Sequence, residues 1–273
     1  MSIDLLKQFA NMINIAESEE ISIDEIAIIG QKCVTGFEED YSSSIEWMEE
    51  VKRVMELSSL KSHKKSYPLP NSANIKMPII TKAAYEFASK AYPEIIKDGK
   101  VVKAHIIGQD DANGTKQLQA ERVADYMNYQ LLFQNTQWEL ELDRLLNLIA
   151  LIGFICKKTY YEPVRGHIKS EICDYEDLII NSDVRNLDDA QRISHILHFS
   201  INDLVEHARS GVFLESAVDD LVNQNSNLDV VPIIDLVEQH CFLDLDNDHY
   251  EEPYIVTFVK DTGKVLRIAP RYS

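Results

Sequence analysis

At Phe154 the spacing of apolar residues changes, and this change restricts the fold more than any other feature of the chain. Before it, apolar residues recur at intervals of three and four. Ala120, Ala124, Met127 and Leu131 form one stripe; Trp138, Leu142, Leu145, Ile149 and Ile152 form another. Such spacing places each set on one face of a helix. After Phe154 the period falls to two, in runs rich in β-branched and aromatic residues: FICKKTYYEP, HIKSEIC, DLIIN and RISHILHF. Those runs read as strands. Residues 231–243, 253–260 and 265–268 continue the pattern, the last two joined by the turn Asp261-Thr262-Gly263. Helices first and a mostly antiparallel sheet second define an α+β fold.

Local end signals refine the helical half. Ser22 with Glu25 and Ser43 with Glu46 both have the capping-box spacing, so two helix starts are expected there. A helix over 77–91 is expected to end at Tyr92-Pro93, because proline lacks the N–H that a continuing helix needs. Residues 101–107 read as a short strand and 108–114 as a polar loop. Later, Ser200 with Asp203 caps a short helix running to Ser210-Gly211, and 217–223 reads as another.

Charge divides the chain differently. Of 273 residues, 45 are acidic and 27 basic, a net charge of −18 that disfavours nonspecific attraction to nucleic acid or anionic lipid. Residues 1–60 carry 13 acids and 4 bases, whereas 61–103 carry 9 lysines and 3 acids. The shift falls at KSHKKSY, followed by the proline-punctuated PLPNSANIKMP. It suggests an acidic helical region over 1–60 and an α+β domain over 61–273. The basic island could contact phosphates, but in so acidic a chain it better suits complementary contact with an acidic stretch of a neighbouring subunit, or ordinary solvated charge; Lys61, Lys64, Lys65, Tyr67, Pro68 and Pro70 are the candidate contact set.

Motifs for catalysis are not found. Gly108 and Gly114 are separated by five residues and followed by Thr115-Lys116, the reverse of the phosphate-loop order. His195 and His198, three apart in a strand, point to opposite faces and cannot chelate together. Cys33, Cys156, Cys173 and Cys241 are scattered without a CxxC pair and read as reduced thiols. The longest apolar run, 148–156, is too short for a membrane span, and no cleavable leader is expected. The most specific chemical feature is Asp244-Leu-Asp246-Asn-Asp248. Carboxylates at positions 1, 3 and 5 of a tight turn can converge on Ca²⁺. However, His249 stands where a calcium loop of the EF-hand type requires glycine, and Ile255 where it requires glutamate. The alternatives are a calcium-dependent binding module and a solvated acidic turn.

Seven segments taken in order resemble the portal proteins, or head–tail connectors, of short-tailed bacteriophages. They are KSYPLPNSANIKMPIIT (65–81), RVADYMNYQLL (122–132), GFICKKTYYEP (153–163), DYEDLIIN (174–181), RSGVF (209–213), DLDNDHYEEPYIVT (244–257) and RIAPRY (267–272). The resemblance runs from about Trp47 to the end; residues 1–45 carry no match. It implies a structural protein rather than an enzyme, built like the α+β wing domain of a portal subunit. It also implies a ring, usually of twelve copies, at a capsid vertex, made in the host cytoplasm and incorporated into the virion. Implied partners are other portal subunits and coat or scaffold protein. DNA would pass without being specifically bound. Terminase and tail factors would dock on stem and clip regions that family members carry beyond the point matching Ser273, so a fragment of a longer subunit is expected. No cofactor is implied, and His249 occupies a position where the family typically has glycine.

Overall fold

A computed structural model describes residues 2–60, 77–109, 114–162, 166–225, 232–246 and 248–272. The helices are α1 (Ser2–Phe9), α2 (Ile23–Ser58), α3 (Ile79–Ile95), α4 (Thr115–Tyr129), α5 (Trp138–Ile152), α6 (Ile201–Arg209) and α7 (Glu215–Asn225). The strands are β1 (Cys156–Glu162), β2 (His167–Cys173), β3 (Leu178–Ile180), β4 (Ile193–Ser200), β5 (Ile233–Leu243), β6 (Glu252–Val259) and β7 (Val265–Pro270). The class is α+β, with helices preceding antiparallel sheet. Among the described residues, no helix is long and apolar enough to cross a membrane.

The chain forms two compact units. Unit 1 joins Met1–Met48 to Tyr175–Ser273, and unit 2 is Glu49–Asp174. These limits differ from the 1–60 and 61–273 division suggested by charge. The reason is packing: the first half of α2 lies on a sheet formed from the far end of the chain.

In unit 1, β3 to β7 form one antiparallel sheet in sequence order, with α6 and α7 inserted between β4 and β5. Period-two alternation gives this sheet two apolar faces. One face carries Ile179, Ile196, Val237, Cys241, Val256 and Phe258, covered by Phe9, Ile15, Cys33 and Phe37. The other carries Leu236, Val259 and Leu266, covered by Leu204, Phe213, Val218 and Leu221. Both capping boxes at the unit's helix starts form. The Glu25 N–H donates to Ser22 Oγ at 3.3 Å while Glu25 Oε2 accepts the Ser22 N–H at 2.8 Å; Ser200 and Asp203 repeat the arrangement. The 261–263 turn closes as expected, with Gly263 at φ +69° donating to Val259 O at 2.8 Å.

Unit 2 contains α3, α4, α5 and the β1–β2 hairpin. Its main buried cluster is small: Ala88 of α3 against Leu142 and Leu146 of α5. Ala91, Tyr92, Ile96, Trp138 and Leu145 pack around it, and polar side chains add anchors. Asn135 Nδ2 donates to Ile168 O at 3.1 Å, and the Ile172 N–H donates to Glu141 Oε2 at 3.0 Å.

Three local expectations are corrected. Ser43 begins no helix; it lies inside α2, where its hydroxyl donates to Asp40 O at 2.7 Å. Pro93 does not end α3, which continues to Ile95, because a proline in the last turn forfeits only one backbone bond. Residues 101–107 form no strand. Asn128 Oδ1 instead accepts the N–H of Val101 at 2.8 Å and of Val102 at 2.9 Å, and Asn128 Nδ2 donates to Val102 O at 2.9 Å. One buried amide thereby supplies the bonds a neighbouring strand would otherwise make.

Candidate functional site

The β5–β6 connection brings the predicted acidic residues together. One carboxylate oxygen each from Asp244, Asp246 and Asp248 lies within 4.8 Å of the others. Backbone bonds shape the turn: Asp244 accepts the N–H groups of Asp248 at 3.1 Å and His249 at 2.9 Å, and Asp248 accepts that of Tyr250 at 2.8 Å. Asn247 lies outside the described residues. Asp246 differs from its neighbours: both of its carboxylate oxygens are shielded from solvent and have no hydrogen-bond partner. Glu252, at the start of β6, has one oxygen in the same condition.

Four carboxylates in this space repel one another. Burial, followed by the charges of Asp246, Asp248 and Asp244, raises the Glu252 pKa above the usual carboxylate range. Burial, followed by the charges of Glu252, Asp246 and Asp244, pushes the Tyr254 hydroxyl up to about 12. A hard cation that prefers oxygen ligands at roughly 2.3–2.6 Å fits such a donor set. His249 has φ 70°, so it adopts the left-handed conformation that glycine provides in calcium loops of the EF-hand type. Ile255 at the twelfth position pairs with His240 in the sheet and offers no oxygen side chain; Glu252, three residues earlier, is the available carboxylate.

A second feature lies in unit 2. α4 carries the expected inward stripe, with Ala124 buried at 7% exposure, although Met127 remains 42% exposed. It also carries a second apolar stripe that faces outward: Leu118, Tyr126 and Tyr129, continued by Phe133 in the π-helical turn Gln130–Gln134. Tyr126 is 58% and Phe133 70% exposed. Tyr129 and Phe133 stack on each other with ring centroids 6.0 Å apart. α3 exposes Ile79, Tyr85 and Phe87 as well. The second α4 stripe was legible as a repeat of i, i+8, i+11 and i+15 but was overshadowed by the first.

The chain matches no protein-family model. It also matches no curated protein.

Of the lysine island, Lys61, Lys64 and Lys65, together with Tyr67, Pro68 and Pro70, lie outside the described residues. Lys82, Lys90, Lys97, Lys100 and Lys103 are described and exposed; Lys82 pairs with Glu86 at 3.8 Å and Lys100 with Asp125 at 2.9 Å. His195 and His198 lie on opposite faces of β4, as their spacing requires. The His198 ring is held by Asp235 at 2.7 Å and Asp177 at 3.3 Å, and the Asp235 bond leads in raising its pKa above the ordinary histidine value. Sequence patterns gave no role to Arg192. It binds the buried Asp40 through Nε at 2.9 Å and a terminal nitrogen at 3.0 Å, while Asn181 donates to the same carboxylate at 3.0 Å. This clamp ties α2 to the sheet, and the partly exposed Arg192 also pairs with Glu39 at 3.1 Å.

Proposed function

We propose that this chain is a structural subunit of a portal-type assembly, acting through contacts with further copies of itself. Portal-like segments that follow one another in order from about Trp47 support the reading. The observation that carries it is the imbalance in unit 2: a buried cluster of three residues beside an outward stripe of Leu118, Tyr126, Tyr129 and Phe133. Contiguous apolar surface of this kind marks an association site. Charge favours another copy as the occupant. A block of net +6 over 61–103 and one of net −9 over 1–60 on the same chain give each copy both halves of a complementary pair. A capsid role, assembly in the host cytoplasm and passage of DNA follow from the same reading.

Tyr126→Glu combined with Phe133→Glu should weaken self-association by at least about tenfold, as loss of buried aromatic anchors does, and leave the melting temperature nearly unchanged. Raising salt should also weaken it, since complementary charges are screened. Concentration-dependent light scattering measures both effects. Association unaffected by the double substitution would rule out this surface.

A second reading, that the acidic turn binds Ca²⁺, is favoured by Asp246, whose two shielded oxygens have no partner. Calorimetric titration should show binding heat for the wild type and none for Asp246→Ala, with Ca²⁺ raising the melting temperature of the wild type alone. Equal behaviour of the two proteins would eliminate it.

A further inference from the structure

The four cysteines, far apart in sequence, come together as two pairs. Cys156 and Cys173 are register partners across β1 and β2. Cys33 of α2 and Cys241 of β5 meet on the face of the sheet that α2 covers. They are 2% and 4% exposed and belong to the same buried cluster. A buried side-chain amide holds the second pair in place independently. Gln239 precedes Cys241 by two residues and so shares its face. Its Nε2 donates to Cys33 O at 3.2 Å and to Ser194 Oγ at 3.0 Å. Helix and strand are thereby fixed against each other beside the two thiols. Both cysteines line a cavity of about 680 Å³, with Lys32, Arg192, Gln239 and His249 in its wall. That volume lies within the roughly 300–1,000 Å³ typical of small-molecule sites.

We propose that Cys33 and Cys241 form a redox-active dithiol, which a small-molecule disulfide entering this cavity converts to an intramolecular disulfide joining α2 to β5. The Cys33 thiolate attacks one sulfur of the small disulfide, forming a mixed disulfide and expelling one thiolate. Cys241 gives up its proton and attacks the Cys33 sulfur, expelling the second. Two protein thiols become one protein disulfide, and the small disulfide leaves as two thiols that carry the two protons. The roles are unequal. The neighbouring Cys241 thiol, with Lys32 and Arg192, holds Cys33 below the ordinary thiol range, while the Cys33 sulfur and burial raise Cys241. Thiolate character selects the attacking group. At the other pair, burial raises both thiols, Cys173 to about 11, so neither is primed to react.

The full-length chain, reduced and then incubated with oxidised glutathione, tests this. Two of the four thiols should disappear, and peptide mapping should recover Cys33 linked to Cys241. The melting temperature should rise by about 5–15 °C, because the link closes a long loop in the unfolded chain. Cys241→Ala should accumulate a glutathione adduct on Cys33, whereas Cys33→Ala should leave Cys241 unmodified; loss of packing alone would not produce that asymmetry. Four thiols remaining free in the folded wild type, or a link only between Cys156 and Cys173, would overturn the proposal.

Discussion

Gly30→Ala should destabilise unit 1 by about 2–4 kcal/mol, although replacing glycine with alanine inside an open helix stabilises by about 1 kcal/mol. The sign of the change is therefore informative. A Cβ at Gly30 would lie 2.2 Å from Gly263 O and 3.1 Å from a Val265 methyl. The first of these is backbone, in the turn between β6 and β7, and cannot rotate away. The turn cannot easily retreat either. Gly263 has φ +69°, and a Cβ there would meet a Val34 methyl at 2.9 Å. Either α2 lifts from the sheet or the turn deforms, and both expose the cluster around Cys33, Phe37 and Val265. Urea unfolding with an unchanged m-value measures the loss. An unchanged or raised midpoint for Gly30→Ala would mean that α2 does not approach the turn so closely.

The second large effect is expected at Arg192. Asp40 is 1% exposed, and its carboxylate is neutralised by the Arg192 guanidinium. Arg192→Met leaves that charge with the Asn181 amide as its remaining side-chain donor and should cost about 3–5 kcal/mol, the range for an orphaned buried charge. Asp40→Asn should cost less, because the Arg192 side chain is 27% exposed and can be solvated where it stands. Combining the two substitutions should recover much of the loss, since no uncompensated charge remains. A double-mutant cycle gives the coupling directly. Additive losses would show that the pair contributes little beyond its individual packing.

These two sites mark the limit of what was legible in the sequence. Period-two runs after Phe154 identified the strands, because alternation is imposed locally by the pleat. The Ser200–Asp203 cap and the Asp261-Thr262-Gly263 turn were legible for the same reason: each involves residues within a few positions of one another. Ser43–Glu46 has the same spacing as a true cap but lies where α2 already continues, so a local motif was overruled by its helix. Residues 101–107 have strand-like composition, yet Asn128, some 26 positions away, supplies their hydrogen bonds. The Arg192–Asp40 clamp, the Gly30–Gly263 approach and the Cys33–Cys241 pair all join α2 to the distant sheet. Nothing in the spacing of neighbours encodes such contacts. The acidic turn was visible as a triad of aspartates. That Asp246 is the one left without partners, and that Glu252 joins it, emerged only from three-dimensional packing.

Self-association of the chain is central to a portal-type role, and its mass in solution tests it most directly. Light scattering across a concentration series, with negative-stain imaging of the same samples, should give a multiple of 31.3 kDa and closed, ring-like particles. A single species of 31.3 kDa at every concentration and at low salt would contradict it.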